Sequence, residues 1–261
     1  MYRKNLNVGG WFSFNSDREN WKKFYALKMA NHFFDVDRIK RKFKGFDITE
    51  ELLITKNLQF SGILDKKILV IGGGPSTSSL TQETINSYDY VFSCNHFYLN
   101  PLLREQKIHV VLIGDEVDLE DKRFTEYLKK FQPIVGFEHS SKRTTLKTIQ
   151  FNKQYKRSFI YLTRYFSRLG YVARACILAR CMGASHIDFI GMDGFKTTKH
   201  AFEKQKSLPP FNSEEKFKEQ ARIFYHYVIE DLKLKNFTNL AESNKDSIYY
   251  GILTEIKNEK N

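Results

Sequence analysis

A continuous apolar run that ends in three glycines is the feature of this sequence that most constrains its fold. The run follows Lys66 and Lys67 and covers residues 68–71, and the turn after it consists of Gly72, Gly73, Gly74, Pro75 and Ser76. An apolar run without alternation is typical of a strand buried on both faces, as in a parallel sheet with helices on either side. Glycines allow close approach of the backbone, and proline suits the first turn of a helix. The segment therefore predicts a strand, a tight turn and a helix.

The same turn is a candidate binding site for a phosphate group. Backbone N–H groups at a strand-to-helix turn are expected to point outward, where they favour an anion. The turn lacks the third glycine of the dinucleotide fingerprint, because Thr77 stands at that position, and no Gly-Lys-Ser/Thr sequence of a P-loop follows it. Two interpretations stay open, an ordinary strand-to-helix connection and a nucleotide-phosphate site of a different type. We favour the nucleotide site.

Repeated strand–turn–helix units follow this turn along the chain. The predicted strands are residues 66–71, 90–94, 109–113, 133–137, 158–162, 186–190 and 236–240, and the predicted helices include 170–182 and 213–234. Such repeats predict an α/β fold with a doubly wound, mostly parallel, Rossmann-like sheet. In this prediction residues 65–261 form the Rossmann-like nucleotide-binding domain. Residues 1–64, with a helix at 16–34, form an N-terminal helical extension that packs on it.

The net charge of +12 limits the partners of the chain. Such an excess draws a protein toward nucleic acid, anionic membrane surfaces or polyanionic glycans. The sequence does not interleave basic and aromatic residues in the way that stacks single-stranded bases, so we expect no nucleic-acid partner. We interpret the excess of basic residues first as a solvated surface and second as a surface for peripheral contact with an anionic membrane.

Cysteine usage indicates a reducing compartment. Cys94, Cys176 and Cys181 lack the spacing of a metal site or a disulfide framework, and they lie in apolar runs, as buried thiols do. No apolar run reaches membrane-spanning length, and the N-terminus lacks the apolar core of a signal peptide. The expected location is the cytoplasm, with or without contact to a membrane surface.

Polar residues or glycines follow four of the predicted strands at the point where each strand ends. These segments are residues 72–76, 95–98, 114–116 and 191–195. In doubly wound sheets, ligands bind beyond the carboxyl ends of the strands. The coincidence at four strand ends predicts a ligand site at this edge of the sheet.

Two of these segments carry side chains suited to a nucleotide. The Asn95 amide both donates and accepts, so it suits a phosphate oxygen, a ribose hydroxyl or a base edge, or else it caps the next turn. Asp115 and Glu116 place two carboxylates at a strand end, which suits magnesium held together with substrate phosphates, or sugar hydroxyls. An acidic first turn of the next helix is the alternative for this pair.

Asp193 and His200 are the candidate catalytic residues. Asp193 directly follows a predicted buried strand, where a carboxylate is costly unless something pairs with it. His200 lies on a polar loop and suits a phosphate contact or general acid–base catalysis, because an unperturbed imidazole titrates near neutral pH. If a metal ion takes part, Asp115 and Asp193 are its candidate ligands.

An ordered set of motifs in this sequence resembles two known families. The motifs are Gly-Gly-Gly-Pro-Ser at 72–76, Cys-Asn-His-Phe-Tyr at 94–98, Arg-Leu-Gly-Tyr-Val-Ala at 168–173, Met-Gly-Ala-Ser-His-Ile-Asp-Phe-Ile-Gly-Met-Asp-Gly at 182–194 and His-Ala-Phe at 200–202. They look like those of the bacterial lipooligosaccharide sialyltransferases, which use CMP-sialic acid in a Rossmann-like domain. They are also similar to those of the motility-associated-factor and 6-hydroxymethylpterin diphosphokinase-like family. The resemblance covers residues 66–211.

The first resemblance implies a glycosyltransferase of lipopolysaccharide biosynthesis. It would move a sugar, with a sialic-acid-like sugar as one candidate, from a nucleotide-sugar donor to a surface glycan or similar acceptor. The glycine turn and Asn95 would hold the nucleotide, Asp115 stands where those enzymes have an Asn that contacts the donor, and His200 stands where they have a Tyr that helps the phosphate depart. Their catalytic His before the long helix has no clear counterpart at residues 211–215.

Other functions and roles stay open. The second resemblance implies ATP- and magnesium-dependent transfer of pyrophosphate to a small alcohol, which the acidic strand end at Asp115 and His200 would serve. A nucleotide-binding or glycan-binding module without catalysis is a third interpretation. The general base is unassigned, with Glu116, His96 and Glu214 as candidates.

Overall fold

A computed structural model describes residues 12–14, 63–114, 116–138, 146–163, 170–193, 215, 221–222, 224–225 and 236–241. The strands are β1 (Phe12–Phe14), β2 (Lys67–Ile71), β3 (Tyr90–Cys94), β4 (Val110–Ile113), β5 (Ile134–Glu138), β6 (Ser158–Thr163), β7 (His186–Ile190) and β8 (Asn236–Asn239). The helices are α1 (Gln82–Asn86), α2 (Lys122–Phe131), α3 (Leu146–Gln154) and α4 (Tyr171–Cys181). Short 3-10 turns cover Pro75–Ser79, Phe97–Leu99 and Leu103–Glu105.

The eight strands form one sheet in the order β1-β6-β5-β4-β3-β2-β7-β8. Strands β2 to β8 pair with one another in parallel, and among the described strands only β1 is antiparallel, paired with β6 at the edge. The predicted Rossmann-like α/β fold is confirmed. From β2 the chain builds strands outward on one side as far as β6, and α4 then carries it back across to β7 on the other side of β2. The boundary between β2 and β7 is therefore the topological switch point, where doubly wound folds form a crevice.

Strand β2 is buried on both faces, as its apolar run predicts. Ile68 and Val70 belong to the core on the side of α4, whereas Leu69 and Ile71 belong to the core on the opposite side, together with apolar residues of α2. All four side chains are 0% exposed. This two-sided burial places β2, and the turn that follows it, at the centre of the domain.

Helix α4 packs closely on the sheet because many of its residues are small. Ala173, Ala175 and Ala179 are 0% exposed and belong to the core on that side. The helix ends as predicted, since Gly183 follows the C-cap residue Met182 with a φ of +99°, a conformation that glycine adopts at little cost. The amino end of α4 lies at the carboxyl edge of the sheet, where Val172 approaches Gly72.

Most strand boundaries agree with the sequence. Strands β3 and β7 have the predicted bounds, and the other five predicted strands differ by one residue at one or both ends. Strand β1, which lies within the proposed N-terminal extension, was not predicted from the sequence. The helix predicted at 16–34 lies outside the described residues, and so does most of 213–234, of which residues 215, 221–222 and 224–225 are helical. Within the described residues, no helix has the length and apolar content needed to cross a bilayer.

Candidate functional site

The loops that follow β2 and β7 meet at the switch point and are joined by backbone hydrogen bonds. The Gly72 N–H donates to the Ile190 carbonyl oxygen at 2.8 Å, and the Gly74 N–H donates to the Gly191 carbonyl oxygen at 3.0 Å. These bonds continue the pairing of β2 with β7 beyond the ends of the two strands. The glycine turn and the loop from Gly191 to Asp193 therefore form one connected surface at the carboxyl edge of the sheet.

Ser76 joins these two loops through both its backbone and its side chain. Its N–H donates to Asp193 Oδ2 at 2.9 Å, and its hydroxyl oxygen accepts the Gly191 N–H at 3.0 Å. Ser76 is separated from both Gly191 and Asp193 by more than 110 positions in sequence. Ser76 thus fixes the position of Asp193 relative to the glycine turn.

The glycines of the turn are required because the loops approach so closely. A Cβ atom on Gly74 would collide with Asp193 Oδ2 and lie 2.7 Å from the Gly191 carbonyl oxygen, and one on Gly72 would lie 2.5 Å from Val172 Cγ2. Real Cβ contacts are not this short. Gly191 itself has a φ of +81°, in the region that favours glycine.

The expectation of outward-pointing N–H groups is wrong for three residues of the turn. The N–H groups of Gly72, Gly74 and Ser76 all donate to acceptors in the loop after β7 or at its end. Pro75 has no N–H and begins a 3-10 turn, as its predicted place at the start of a helix suggests. Residues 72–74 carry no side chain, and three of the amides of the turn are used to hold the two loops together.

Asp193 is a buried carboxyl group with only part of its hydrogen-bonding capacity used. The residue is 8% exposed, and burial raises its pKa above the ordinary value of 3.8 because it disfavours the charged form, while hydrogen bonding from Ser76 acts in the opposite direction. Its second oxygen, Oδ1, is buried and has no hydrogen-bond partner among the described residues. Among the described residues, Asp193 Oδ1 is therefore a buried acceptor with unused hydrogen-bonding capacity.

Asn95 links the ends of β3 and β4. Its backbone has a φ of +49°, which asparagine tolerates better than most residues, and its N–H donates to the Leu112 carbonyl oxygen at 3.0 Å. Its side-chain oxygen accepts the Gly114 N–H at 2.9 Å, and its amide nitrogen donates to Glu116 Oε1. The alternative prediction, in which Asn95 caps the following turn, is wrong, because the cap position belongs to His96.

Two charged side chains, Glu116 and Arg174, act on Cys94, the residue before Asn95. Burial raises the pKa of the Cys94 thiol to about 12, with the Glu116 carboxylate adding to the rise and the Arg174 guanidinium opposing it. Arg174 is 3% exposed, and its guanidinium lies 4.8 Å from the centre of the Tyr171 ring, a cation–π distance. Cys94 is thus a protonated thiol at neutral pH.

The sequence predictions for the acidic strand end have mixed outcomes. Asp115 lies outside the described residues, as does His200. For Glu116 the alternative of an acidic first turn is wrong, because α2 begins only at Lys122 and is capped by the Asp121 side chain. The described residues contain no group of three or more histidine, cysteine or acidic side chains that could hold a metal ion, so Asp193 lacks described partners for that role.

Two features of the site were not predicted. The sequence named Glu116 only as one of two carboxylates or a base, yet it is the acceptor for the Asn95 amide. Arg174 was not singled out, although a charged residue among the small apolar residues in the middle of helix α4 was a usable signal, because buried arginines require specific partners. The hydrogen bond from the Gly191 N–H to the Ser76 hydroxyl depends on tertiary structure, and no local sequence pattern predicts it.

Comparison with known proteins gives similarity of fold. No family model and no curated protein matches the chain. Among solved structures, the sialyltransferase CstII from Campylobacter jejuni in complex with the substrate analogue cytidine-5'-monophosphate matches with a TM-score of 0.50 and 17% identity, over 67% of this chain and 80% of that one. The same enzyme with CMP-3FNeuAc matches with a TM-score of 0.50 and 17% identity, over 66% and 80%. These matches agree with the sialyltransferase resemblance at the level of fold and give no support to the motility-associated-factor resemblance.

Proposed function

We propose that this protein is a glycosyltransferase that moves a sugar from a nucleotide-sugar donor to a glycan acceptor. The observation that carries the proposal is the buried Asp193 at the switch point between β2 and β7. One of its oxygens is held by Ser76, and the other has no hydrogen-bond partner among the described residues. The fold shared with CstII, whose structures contain CMP and CMP-3FNeuAc, supports a nucleotide-sugar as the ligand.

The glycine turn and Asn95 form the nucleotide side of the proposed site. Because three amides of residues 72–76 are engaged within the protein, the turn contributes a bare surface against which a nucleotide can pack. In this proposal, side chains form the polar contacts to the nucleotide-sugar. Asn95 and Asp193 are two of these side chains, and Asp115 is a third. In this proposal Asp193 Oδ1 accepts a hydrogen bond from a hydroxyl or amino group of the donor.

The proposed reaction breaks the bond between the anomeric carbon of the sugar and the donor phosphate oxygen. A new bond forms between that carbon and an acceptor hydroxyl oxygen, whose proton passes to a base. The phosphate leaves with the bonding electron pair, and His200 would donate a hydrogen bond or proton to it. The acceptor would enter over residues 196–212. A sialic-acid-like sugar, a surface-glycan acceptor, a cytoplasmic location and contact with an anionic membrane are further parts of the proposal.

Nucleotide binding is the first test. We would record thermal unfolding with CMP, UDP, GDP, ADP and ATP, each with and without magnesium. We expect a pyrimidine or other nucleoside mono- or diphosphate to raise the unfolding midpoint without metal, because binding only the folded state stabilises it. A shift that occurs only with ATP and magnesium contradicts sugar transfer and favours pyrophosphate transfer.

Turnover is the second test. Release of nucleotide from the matching nucleotide-sugar would be measured for the wild type, Asp193→Asn and Asp188→Asn. Asp188 is the matched control, since it is a buried carboxylate on β7, the strand that precedes Asp193, and its partners are Tyr88 and His186 rather than residues of the glycine turn. We expect a loss of at least about 100-fold for Asp193→Asn, the scale on which single active-site groups act, and near-normal turnover for the control. Binding without turnover for any donor would favour a non-catalytic module.

A further inference from the structure

The orientation of the Asn95 amide is determined by the groups on both sides of it. Its Oδ1 faces the Gly114 N–H, which can only donate, and its Nδ2 faces the Glu116 carboxylate, which in its ionised form can only accept. A reversed amide would place its NH2 group against an N–H and its oxygen against a carboxylate. The Gly114 N–H and the Glu116 carboxylate therefore act together to exclude one of the two orientations that an asparagine side chain can otherwise take.

The fixed amide has a defined capacity left for a ligand. An amide NH2 group has two donors and an amide oxygen has two lone pairs. One donor is used by Glu116 and one lone pair by Gly114. Among the described residues, one donor and one acceptor of this side chain remain unused, and together they complement a nucleobase edge or a ribose hydroxyl. Their order in space depends on the orientation that Glu116 selects.

Glu116 is itself held in place by tight packing. A Cβ atom on Gly114 would collide with Glu116 Oε2 and would lie 2.7 Å from the Tyr171 hydroxyl oxygen. Only glycine at position 114 leaves room for the carboxylate next to the backbone N–H that Asn95 accepts. Asn95, Gly114 and Glu116 thus form one packed and hydrogen-bonded group between the ends of β3 and β4.

We infer that Glu116 is a positioning residue that orients the Asn95 amide for recognition of the nucleotide, and that it is not the general base. This inference rests on the proposed function, because it assigns a role to a residue in the nucleotide half of that site. The carboxylate acts through Asn95, and its effect on binding should disappear when Asn95 is absent.

A double-mutant cycle tests this dependence. Affinity for the nucleotide that stabilises the wild type would be measured for Asn95→Ala, Glu116→Ala and the double variant. We expect Glu116→Ala to weaken binding by about 10-fold to 100-fold, the range for a hydrogen bond with a charged partner. In the Asn95→Ala background the same change should have little further effect. Losses that multiply in the double variant would overturn the inference.

Two further measurements separate positioning from other roles. Glu116→Gln keeps an acceptor oxygen and should recover most of the affinity, whereas failure of this rescue would contradict the proposed role. With the nucleotide-sugar, Glu116→Ala should raise KM for the donor more than it lowers kcat. A loss confined to kcat would identify Glu116 as the base and refute the inference.

Unfolding midpoints of the same four proteins test the pair without any ligand. If Asn95 and Glu116 support each other, the shift for the double variant should be smaller than the sum of the single shifts. Purely additive shifts would reject the inference even if no nucleotide binds. Absence of nucleotide binding to the wild type would reject the proposed function separately.

Discussion

Replacing Asp193 with asparagine should make the folded protein more stable at neutral and alkaline pH while it impairs the proposed reaction. The carboxyl group is 8% exposed, and its Oδ1 has no hydrogen-bond partner among the described residues. Asparagine has nearly the same shape and keeps an oxygen that can accept the Ser76 N–H, which is 2.9 Å from Oδ2 in the wild type. The substitution removes the buried charge and retains the link between the two loops.

The size of the effect follows from the cost of an unsatisfied buried group. Leaving a buried acceptor without a partner costs about 1–3 kcal/mol, and more if it is charged. The amide of asparagine leaves a neutral donor in the same place, so only part of this cost is recovered. We expect the free energy of unfolding to rise by about 1 kcal/mol at pH 8, since neutral buried groups still carry a penalty. For a domain of this size that corresponds to an unfolding midpoint about 2–4 °C higher.

The stability difference between Asp193→Asn and the wild type should depend on pH in a defined direction. Because burial raises the folded-state pKa of Asp193 above the ordinary value of 3.8, the folded state binds more protons than the unfolded state between these two pKa values. The contribution of Asp193 to wild-type stability therefore falls as pH rises through that window, and asparagine does not titrate. The advantage of Asp193→Asn should be largest above the folded-state pKa and should shrink as pH falls toward 3.8.

Urea unfolding at a series of pH values measures this difference, with Asp188→Asn as the control. Asp188 is 5% exposed, but its carboxylate accepts the Tyr88 hydroxyl at 2.6 Å and lies 3.1 Å from His186 Nε2. Loss of a carboxylate with these partners should lower the free energy of unfolding at pH 8. If Asp193→Asn is also less stable than the wild type at pH 8, the argument that the Asp193 charge is uncompensated is refuted.

Three further predictions concern the turn and the core. Gly74→Ala should lower the free energy of unfolding by about 1–3 kcal/mol, as overpacking does, because its Cβ would displace the Asp193 carboxyl group; an unchanged urea midpoint would contradict the packing argument. Burial lowers the pKa of His109 to about 4, so the folded state binds fewer protons than the unfolded state between pH 6.5 and that value. The contribution of His109 to the free energy of unfolding should therefore fall as pH decreases through that window. His109→Gln should flatten that part of the plot of unfolding free energy against pH, and an unchanged plot would refute the lowered pKa of His109. Tyr127→Phe should lower the free energy of unfolding by about 1–3 kcal/mol in the same assay. The reason is that the Tyr127 hydroxyl accepts the Ile108 N–H at 2.9 Å and donates to a carbonyl oxygen at 2.6 Å. An unchanged free energy of unfolding would mean that water replaces the hydroxyl.

The parallel strands could be predicted from sequence because burial on both faces leaves a local signal. Strand β2 is apolar at four consecutive positions, and β3 and β7 are bounded by polar or turn-forming residues at both ends. Strand β1 has only three residues, and it exists through its pairing with β6, about 150 positions away. Short edge strands depend on such partners more than on their own composition, which explains why Phe12–Phe14 gave no usable signal.

The candidate site could be located from sequence more readily than its contacts could. The rule that ligands bind beyond the carboxyl ends of parallel strands selected the segments of Gly74, Asn95 and Asp193, and the structure places each at that edge. The direction of the amides in the glycine turn could not be foreseen, because their acceptors lie in a loop more than 100 positions later. Local geometry gave the turn, and tertiary structure decided what its N–H groups contact.

Asp188 in β7 and Asp193 after it differ in how fully their buried carboxyl groups are hydrogen-bonded. Asp188 and Asp193 are similarly buried, at 5% and 8% exposure, so burial alone does not distinguish them. Asp188 is surrounded by Tyr88 and His186, with the Lys67 ammonium 4.0 Å away, whereas Asp193 has the Ser76 N–H on one oxygen and no described partner on the other. A buried carboxylate without full compensation destabilises a fold. In the proposed function a ligand supplies the missing hydrogen bond to Asp193, which lies beyond the carboxyl ends of the strands, where doubly wound sheets bind their ligands.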